Sequence, residues 1–148
     1  MAECLIRGFN VAVPEVDIGD DLFVINDRSG NYRRIQVKTV TAIRRQAGYS
    51  AQFQVPLAQL EQVFTPDLIY VFVARFHSGW GPFIVLQRDT LAGLHQLRAL
   101  GSRQKNDTML QLYLSYSTDG SVRCSGQSLT AFISQFTDLP DLLPDELA

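Results

Sequence analysis

Two cysteines and two histidines leave this chain little material for several common chemistries. Cys4 and Cys124 lie far apart, match no metal-ligand spacing, and read as two reduced thiols rather than a disulfide or a site. His77 stands on a Gly-rich turn and His95 inside a helical pattern, so a histidine zinc site and a Ser-His-Asp triad both lack their parts. Long apolar runs are missing too. The longest, Leu68 to Ala74, is closed by Arg75 and falls far short of the roughly 20 residues that a membrane helix needs. The opening MAECLIRG has an acid where a secretion signal carries basic residues, and no apolar stretch long enough for such a signal. These absences predict a cytoplasmic protein without a membrane partner.

Lysine is scarce as well: of 13 basic residues only Lys38 and Lys105 are lysines, and arginine is the residue suited to bidentate phosphate contacts. The net charge of -2 argues against a nucleic-acid partner only until its distribution is read. Asp138, Asp141, Asp145 and Glu146 sit in a Pro-broken tail, and the remainder of the chain carries 13 basic against 11 acidic groups. Between Asp27 and Arg45 the basic residues are Arg28, Arg33, Arg34, Lys38, Arg44 and Arg45, opposed by Asp27 alone. That stretch is either a phosphate-binding surface or a solvated strand face and turn.

With 148 residues and 46% hydrophobic content the chain can bury one substantial core. Residues 1–137 are expected to form one α/β domain, and residues 138–148 an acidic Pro-containing tail. AECLIRG reads as the end of a helix closed by Gly8, and FNVAV as a short strand. LFVI and YRRIQVKTVTAI, separated by the turn-rich NDRSGN, predict a β-hairpin. RRQAGYS reads as a polar loop, AQFQV as a strand, and PLAQLEQVF as a short helix with Pro56 in its first turn. Leu68 to Phe76 predicts a strand buried on both faces, HSGWG a turn, and PFIVLQ its neighbour. A helix follows from Asp89 to Gly101, then the strand MLQLYLSY, then an amphipathic helix marked by Leu129, Phe132, Ile133 and Phe136. The order predicts a mixed α/β domain in which one sheet is flanked by helices.

One stretch, DDLFVINDRSGNYRRIQVKT, carries more polar chemistry than a hairpin needs. Side chains alternate along a strand, so Gln36 and Lys38 share one face while Ile35 and Val37 point into the opposite layer. An antiparallel hairpin returns the end of its second strand to the start of its first, bringing Asp21 and Lys38 to one mouth. A hard cation such as Mg²⁺ (or Mn²⁺) takes oxygen ligands, and the Asp21 carboxylate, the Gln36 amide oxygen and the Val37 carbonyl supply three. Lys38 then sits beside a metal-bound water and the phosphate it attacks. Glu15, Asp17 and Asp20, on the loop ahead of the strand, either add outer ligands or cap their own turn. Gln52 and Gln54 either line the same cleft or face solvent, and Trp80 either stacks on a base or packs on its turn.

The strand, loop, DDLFV, turn and IQVKT resemble the PD-(D/E)xK nuclease superfamily, the restriction-endonuclease-like fold, and are similar to its small bacterial members and Holliday-junction-resolvase-like domains. The resemblance covers Ala2 to Thr41, and the remainder only in element order. It implies a restriction-endonuclease-like mixed β-sheet flanked by helices and a metal-dependent nuclease acting on DNA. Asp21 and Gln36 would hold the metal, with Lys38 assisting hydrolysis and Arg33, Arg34, Arg44 and Arg45 binding nucleic acid; a homodimer is compatible. Gln36 stands where the family usually has Asp or Glu, though some members carry Gln there. The helix before GF usually bears a Glu two to three turns ahead; here the sequence starts late in that helix and Glu3 is the only acid available. These departures keep two other readings open: a catalytically degenerate nuclease fold acting as a nucleic-acid-binding or protein-interaction module, and a structural α/β protein.

Overall fold

A computed structural model describes residues 1–15, 19–27, 29–98, 100–104 and 106–136. Asp17 and the acidic tail of residues 138–148 lie outside the described residues. In chain order the elements are α1 (Ala2–Ile6), β1 (Asn10–Ala12), β2 (Leu22–Ile25), β3 (Tyr32–Thr41), β4 (Ile43–Arg45), β5 (Gly48–Pro56), α2 (Leu57–Glu61), β6 (Leu68–Phe76), β7 (Gly79–Gln87), α3 (Arg88–Arg98), β8 (Ser102–Arg103), β9 (Met109–Ser117), β10 (Val122–Cys124) and β11 (Gln127–Ser128), followed by a 3₁₀ turn over Thr130–Phe132. The fold is mixed α/β and mostly strand. Among the described residues no helix is long and apolar enough to cross a membrane.

The first sheet has the order β1-β2-β3-β6-β7. α1 ends as its sequence predicts: Gly8, at φ +81°, turns the chain in a left-handed step that a side chain would resist. β1, β2 and β3 then form an antiparallel meander, with Leu22 opposite Ile35 and Ile25 opposite Tyr32. β3 is ten residues long, but β2 covers only its first part, so one edge of β3 runs on past its partner. Its other edge pairs in parallel with β6, from Arg34 opposite Leu68 to Thr41 opposite Arg75. Parallel neighbours need a long crossover. Here it contains β4, β5 and α2.

That crossover corrects the expectation of one sheet. The strands divide into two, because β5 pairs along its whole length with β9, Gly48 opposite Ser117 through Pro56 opposite Met109, instead of joining the first sheet. RRQAGYS, expected as a loop, is part of the β4 and β5 hairpin. The second sheet runs β11-β10-β9-β5-β4, with β8 also on β9. Gly48 is obligatory at its turn: φ is +137°, and a Cβ there would lie 1.9 Å from the Tyr116 carbonyl oxygen.

The two sheets enclose the main core. Leu68, Tyr70, Phe72 and Ala74 of β6 meet Ala51, Phe53 and Val55 of β5 and Leu110, Leu112 and Leu114 of β9. Phe53 and Phe72 pack edge to face with ring centres 5.2 Å apart. The other side of β6, Ile69, Val71 and Val73, joins Leu22, Val24, Ile35 and Cys4 in a smaller core beneath α1. Two cores against one strand explain why the run from Leu68 to Ala74 is apolar throughout. The helix expected around Leu129 to Phe136 is instead β11 and the 3₁₀ turn: Leu129 enters the main core, while Phe136 packs against the smaller one.

Candidate functional site

Asp21 sits just before β2, where β3 loses its partner strand on that side. Its N–H donates to the Ile35 carbonyl at 2.9 Å, and its exposed carboxylate takes over as a substitute for the missing strand. Oδ2 accepts the Val37 N–H at 2.6 Å and the Gln36 side-chain nitrogen at 2.7 Å. Residues alternate between the two edges of a strand, each turning its N–H and C=O the same way, so the Val37 carbonyl points to the same open edge as its N–H. Among the described residues Asp21 Oδ1 has no hydrogen bond.

Gln36 is 8% exposed, and its amide is held by a chain of bonds that starts in the main core. The Tyr70 hydroxyl donates to Gln59 Oε1 at 3.0 Å. Burial, partly offset by nearby Arg88, raises the Tyr70 pKa, so the hydroxyl keeps its proton at neutral pH. Gln59 Nε2 donates to the Gly19 carbonyl at 3.3 Å and to Gln36 Oε1 at 3.2 Å. A carbonyl only accepts, so Gly19 fixes which end of Gln59 carries the nitrogen. Gln59 in turn draws the Gln36 oxygen inward and leaves its nitrogen facing Asp21. The expected arrangement had the oxygen outward. Gln59, on the short helix α2, gave no sequence signal: only its proximity to Gln36 and Gly19 across 23 and 40 residues identifies it.

Lys38 shares the Gln36 face, as the alternation predicts, and is half-buried. It lines a cleft of about 390 Å³ between β3 and the open edge of β5, with Gln52 and Gln54 on the far wall. Those two glutamines are exposed to solvent, as one of their two expected positions has it, on the rim of a cleft that holds Lys38 but neither Asp21 nor Gln36. Among the described residues Lys38 has no hydrogen bond or ion pair, including with Asp21.

The remaining candidates divide sharply. Asp20 is buried and bidentate to Arg34, whose Nε lies 3.0 and 3.2 Å from its two oxygens and whose Nη2 lies 2.9 Å from Oδ2. The Arg34 guanidinium also lies over the Phe64 ring, 4.4 Å from its centre. Both groups of that pair are committed to the fold. Arg33 is half-buried on β3 and donates to the Tyr32 carbonyl at 3.3 Å. Arg44 and Arg45 are exposed on β4 of the second sheet, where Arg45 Nε bonds Ser50 Oγ at 3.0 Å. Glu3 pairs with Arg7 on α1 and borders an apolar cavity of about 370 Å³ beneath that helix, on the side of the first sheet that Val37 and Thr39 face, opposite Gln36 and Lys38. Trp80 is 63% exposed opposite Arg75 at the β6 and β7 turn.

Among the described residues no three His, Cys, Asp or Glu side chains form a cation-binding group, so oxygen donors at this edge come from one carboxylate, one amide and the backbone. Asp21 Oδ1 and the Val37 carbonyl suit a hard cation such as Mg²⁺ or Mn²⁺, with waters completing the shell. The Gln36 oxygen, which accepts from Gln59, would join them only if its amide turned. No protein-family model matches the chain, and no curated protein or solved structure matches it.

Proposed function

We propose that the chain is a metal-dependent nuclease that hydrolyses DNA phosphodiester bonds, with Asp21, Gln36 and Lys38 as its site in a restriction-endonuclease-like fold. The observation that carries this reading is the closure of the Asp21 carboxylate onto Gln36 and Val37 at the open edge of β3, with Lys38 next along the same face. The helix, the three-stranded meander and the parallel β6 support the fold assignment in element order. A divalent cation bound here supplies an activated water and neutralises charge on the scissile phosphate. Asp21 provides its anionic ligand, and Val37 its carbonyl. Gln36 would add its amide oxygen only by turning, at the cost of its bonds from Gln59 and to Asp21. Lys38, whose ammonium has no protein partner among the described residues, donates to a phosphate oxygen as negative charge develops.

One observation favours a second reading, a DNA-binding module without hydrolysis: Gln36 shows Asp21 a hydrogen-bond donor, and the Tyr70 to Gln59 chain holds it there. The deciding experiment incubates single-stranded, duplex and four-way-junction DNA with Mg²⁺ or Mn²⁺, comparing the wild type with Asp21→Ala and Lys38→Ala. Metal-dependent cleavage that drops at least about a hundredfold in each variant supports the nuclease. Salt-sensitive binding that ignores the metal, with no cleavage, supports the module and sinks the nuclease.

A further inference from the structure

We infer that the outer face of the second sheet is a track for a single strand of DNA, running from Lys38 across Gln52 and Gln54 to Tyr113 and Arg123; this rests on the DNA reading above. The register builds the face. Gln52 lies opposite Tyr113 and Gln54 opposite Gln111, while Ser50 and Arg123 both lie opposite Ser115. No Asp or Glu stands at any of these strand positions, although the chain has 15 acids. The face is mainly neutral amide and hydroxyl, with the exposed Ile43 opposite Ser50 and with Arg45 and Arg123 at its margin; the arginines offer phosphate a charge partner, and the amides offer donors and acceptors for base edges.

Tyr113 supplies the stacking surface. It is 54% exposed, and its hydroxyl donates to Gln111 Oε1 at 3.0 Å, two residues earlier on the same strand face. That bond ties the ring along β9 toward Gln111, with about half of the residue open to solvent. Every base has a π-face, so such a platform takes an unpaired strand with little regard to sequence, whereas a duplex buries its base faces in its own stack.

The track also reaches the site. β4 covers β5 only from Gly48 to Ser50, leaving the β5 edge open from Gln52 onward, where it faces β3. The cleft there is shared by Lys38, Gln52 and Gln54, so a strand whose phosphate rests on Lys38 passes directly onto the sheet.

The test is fluorescence anisotropy of a labelled oligothymidylate and of a labelled duplex, titrated with the full chain in EDTA, alongside a thermal melt of each variant. Tyr113→Ala is expected to weaken oligothymidylate binding about tenfold and Tyr113→Phe, which keeps the ring but loses the bond to Gln111, to weaken it less, both with unchanged melting. Arg123→Gln should lower the slope of log affinity against log salt by about 1. Duplex binding as tight as the oligothymidylate, an unchanged affinity in Tyr113→Ala, or no oligonucleotide binding at all overturns the inference. Tyr113-dependent binding without Mg²⁺-dependent cleavage upholds the track while hydrolysis falls; cleavage that needs Asp21 and Lys38 with binding indifferent to Tyr113 does the reverse.

Discussion

Along β6 every side chain from Leu68 to Ala74 is buried, whereas along β9 burial alternates, with Leu110, Leu112 and Leu114 inside and Tyr113 and Ser115 exposed. The first sheet is covered on both faces, by the second sheet and by α1. Among the described residues the second sheet is covered on one. A sheet with two buried faces has almost no free surface for chemistry, so its polar groups gather where a strand outruns its neighbour, at the β2 and β3 mouth. A sheet with one bare face offers area instead. The first holds a few polar groups in fixed geometry at its open edge, and the second exposes a broad polar face.

The widest test of that difference substitutes one aromatic from each setting. Phe72→Ala, in the shared core, should cost about 3–5 kcal/mol, while Tyr113→Ala on the bare face should stay within about 0.5 kcal/mol; urea denaturation reads both. A comparable loss in both would erase the contrast between the sheets.

A finer contrast separates the neighbours Asp20 and Asp21. Asp20→Asn leaves the largely buried Arg34 guanidinium without its counter-ion and should cost about 3 kcal/mol. Asp21→Asn keeps an oxygen for the Val37 N–H and should cost under about 1 kcal/mol, yet abolish the proposed cleavage. Urea midpoints and the cleavage assay on the same two proteins decide it. Equal stability losses would make Asp21 another strut of the fold.

The same division shows what the sequence could reveal. Local patterns were legible: the apolar run of β6, the hairpin around the NDRSGN turn, the Gly8 helix end, and the shared face of Gln36 and Lys38. Long-range partnership was not. Nothing local says that β5 would choose β9 over the first sheet, so the strands read as one sheet and β4 as loop. Leu129, Phe132, Ile133 and Phe136 carry helical spacing, yet Leu129 and Phe136 pack into different cores. At the candidate site, alternation placed Gln36 and Lys38 on one face and the hairpin brought Asp21 to that edge, where it bonds Gln36 and Val37, but neither gave the orientation of the Gln36 amide. That depends on Gln59, whose contacts are made across long sequence separations. Arg34 looked like a phosphate ligand because its partner, Asp20, looked like part of a turn.

The smallest predicted effect compares one buried tyrosine from each sheet. Burial is the main cause that holds both hydroxyls above the ordinary pKa of 10.0. They differ in partnership: the Tyr70 hydroxyl donates to Gln59, and the Tyr116 hydroxyl has no hydrogen-bond partner among the described residues. Tyr70→Phe strips a donor from Gln59 Oε1 and should cost about 1–2 kcal/mol, whereas Tyr116→Phe removes an unsatisfied polar atom and should be neutral or stabilising by up to about 1 kcal/mol. The raised pKa values also fix the alkaline response. Below pH 10 both tyrosines are neutral folded or unfolded and their contribution is intact; as pH rises past 10.0 the unfolded chain releases its protons first and stability falls. Each Phe variant should therefore lose stability less steeply than the wild type between about pH 9 and about pH 11 in urea titrations. If Tyr116→Phe is destabilised as much as Tyr70→Phe, the Tyr116 hydroxyl has a partner in solution, and the second sheet's buried face is as polar-dependent as the first's.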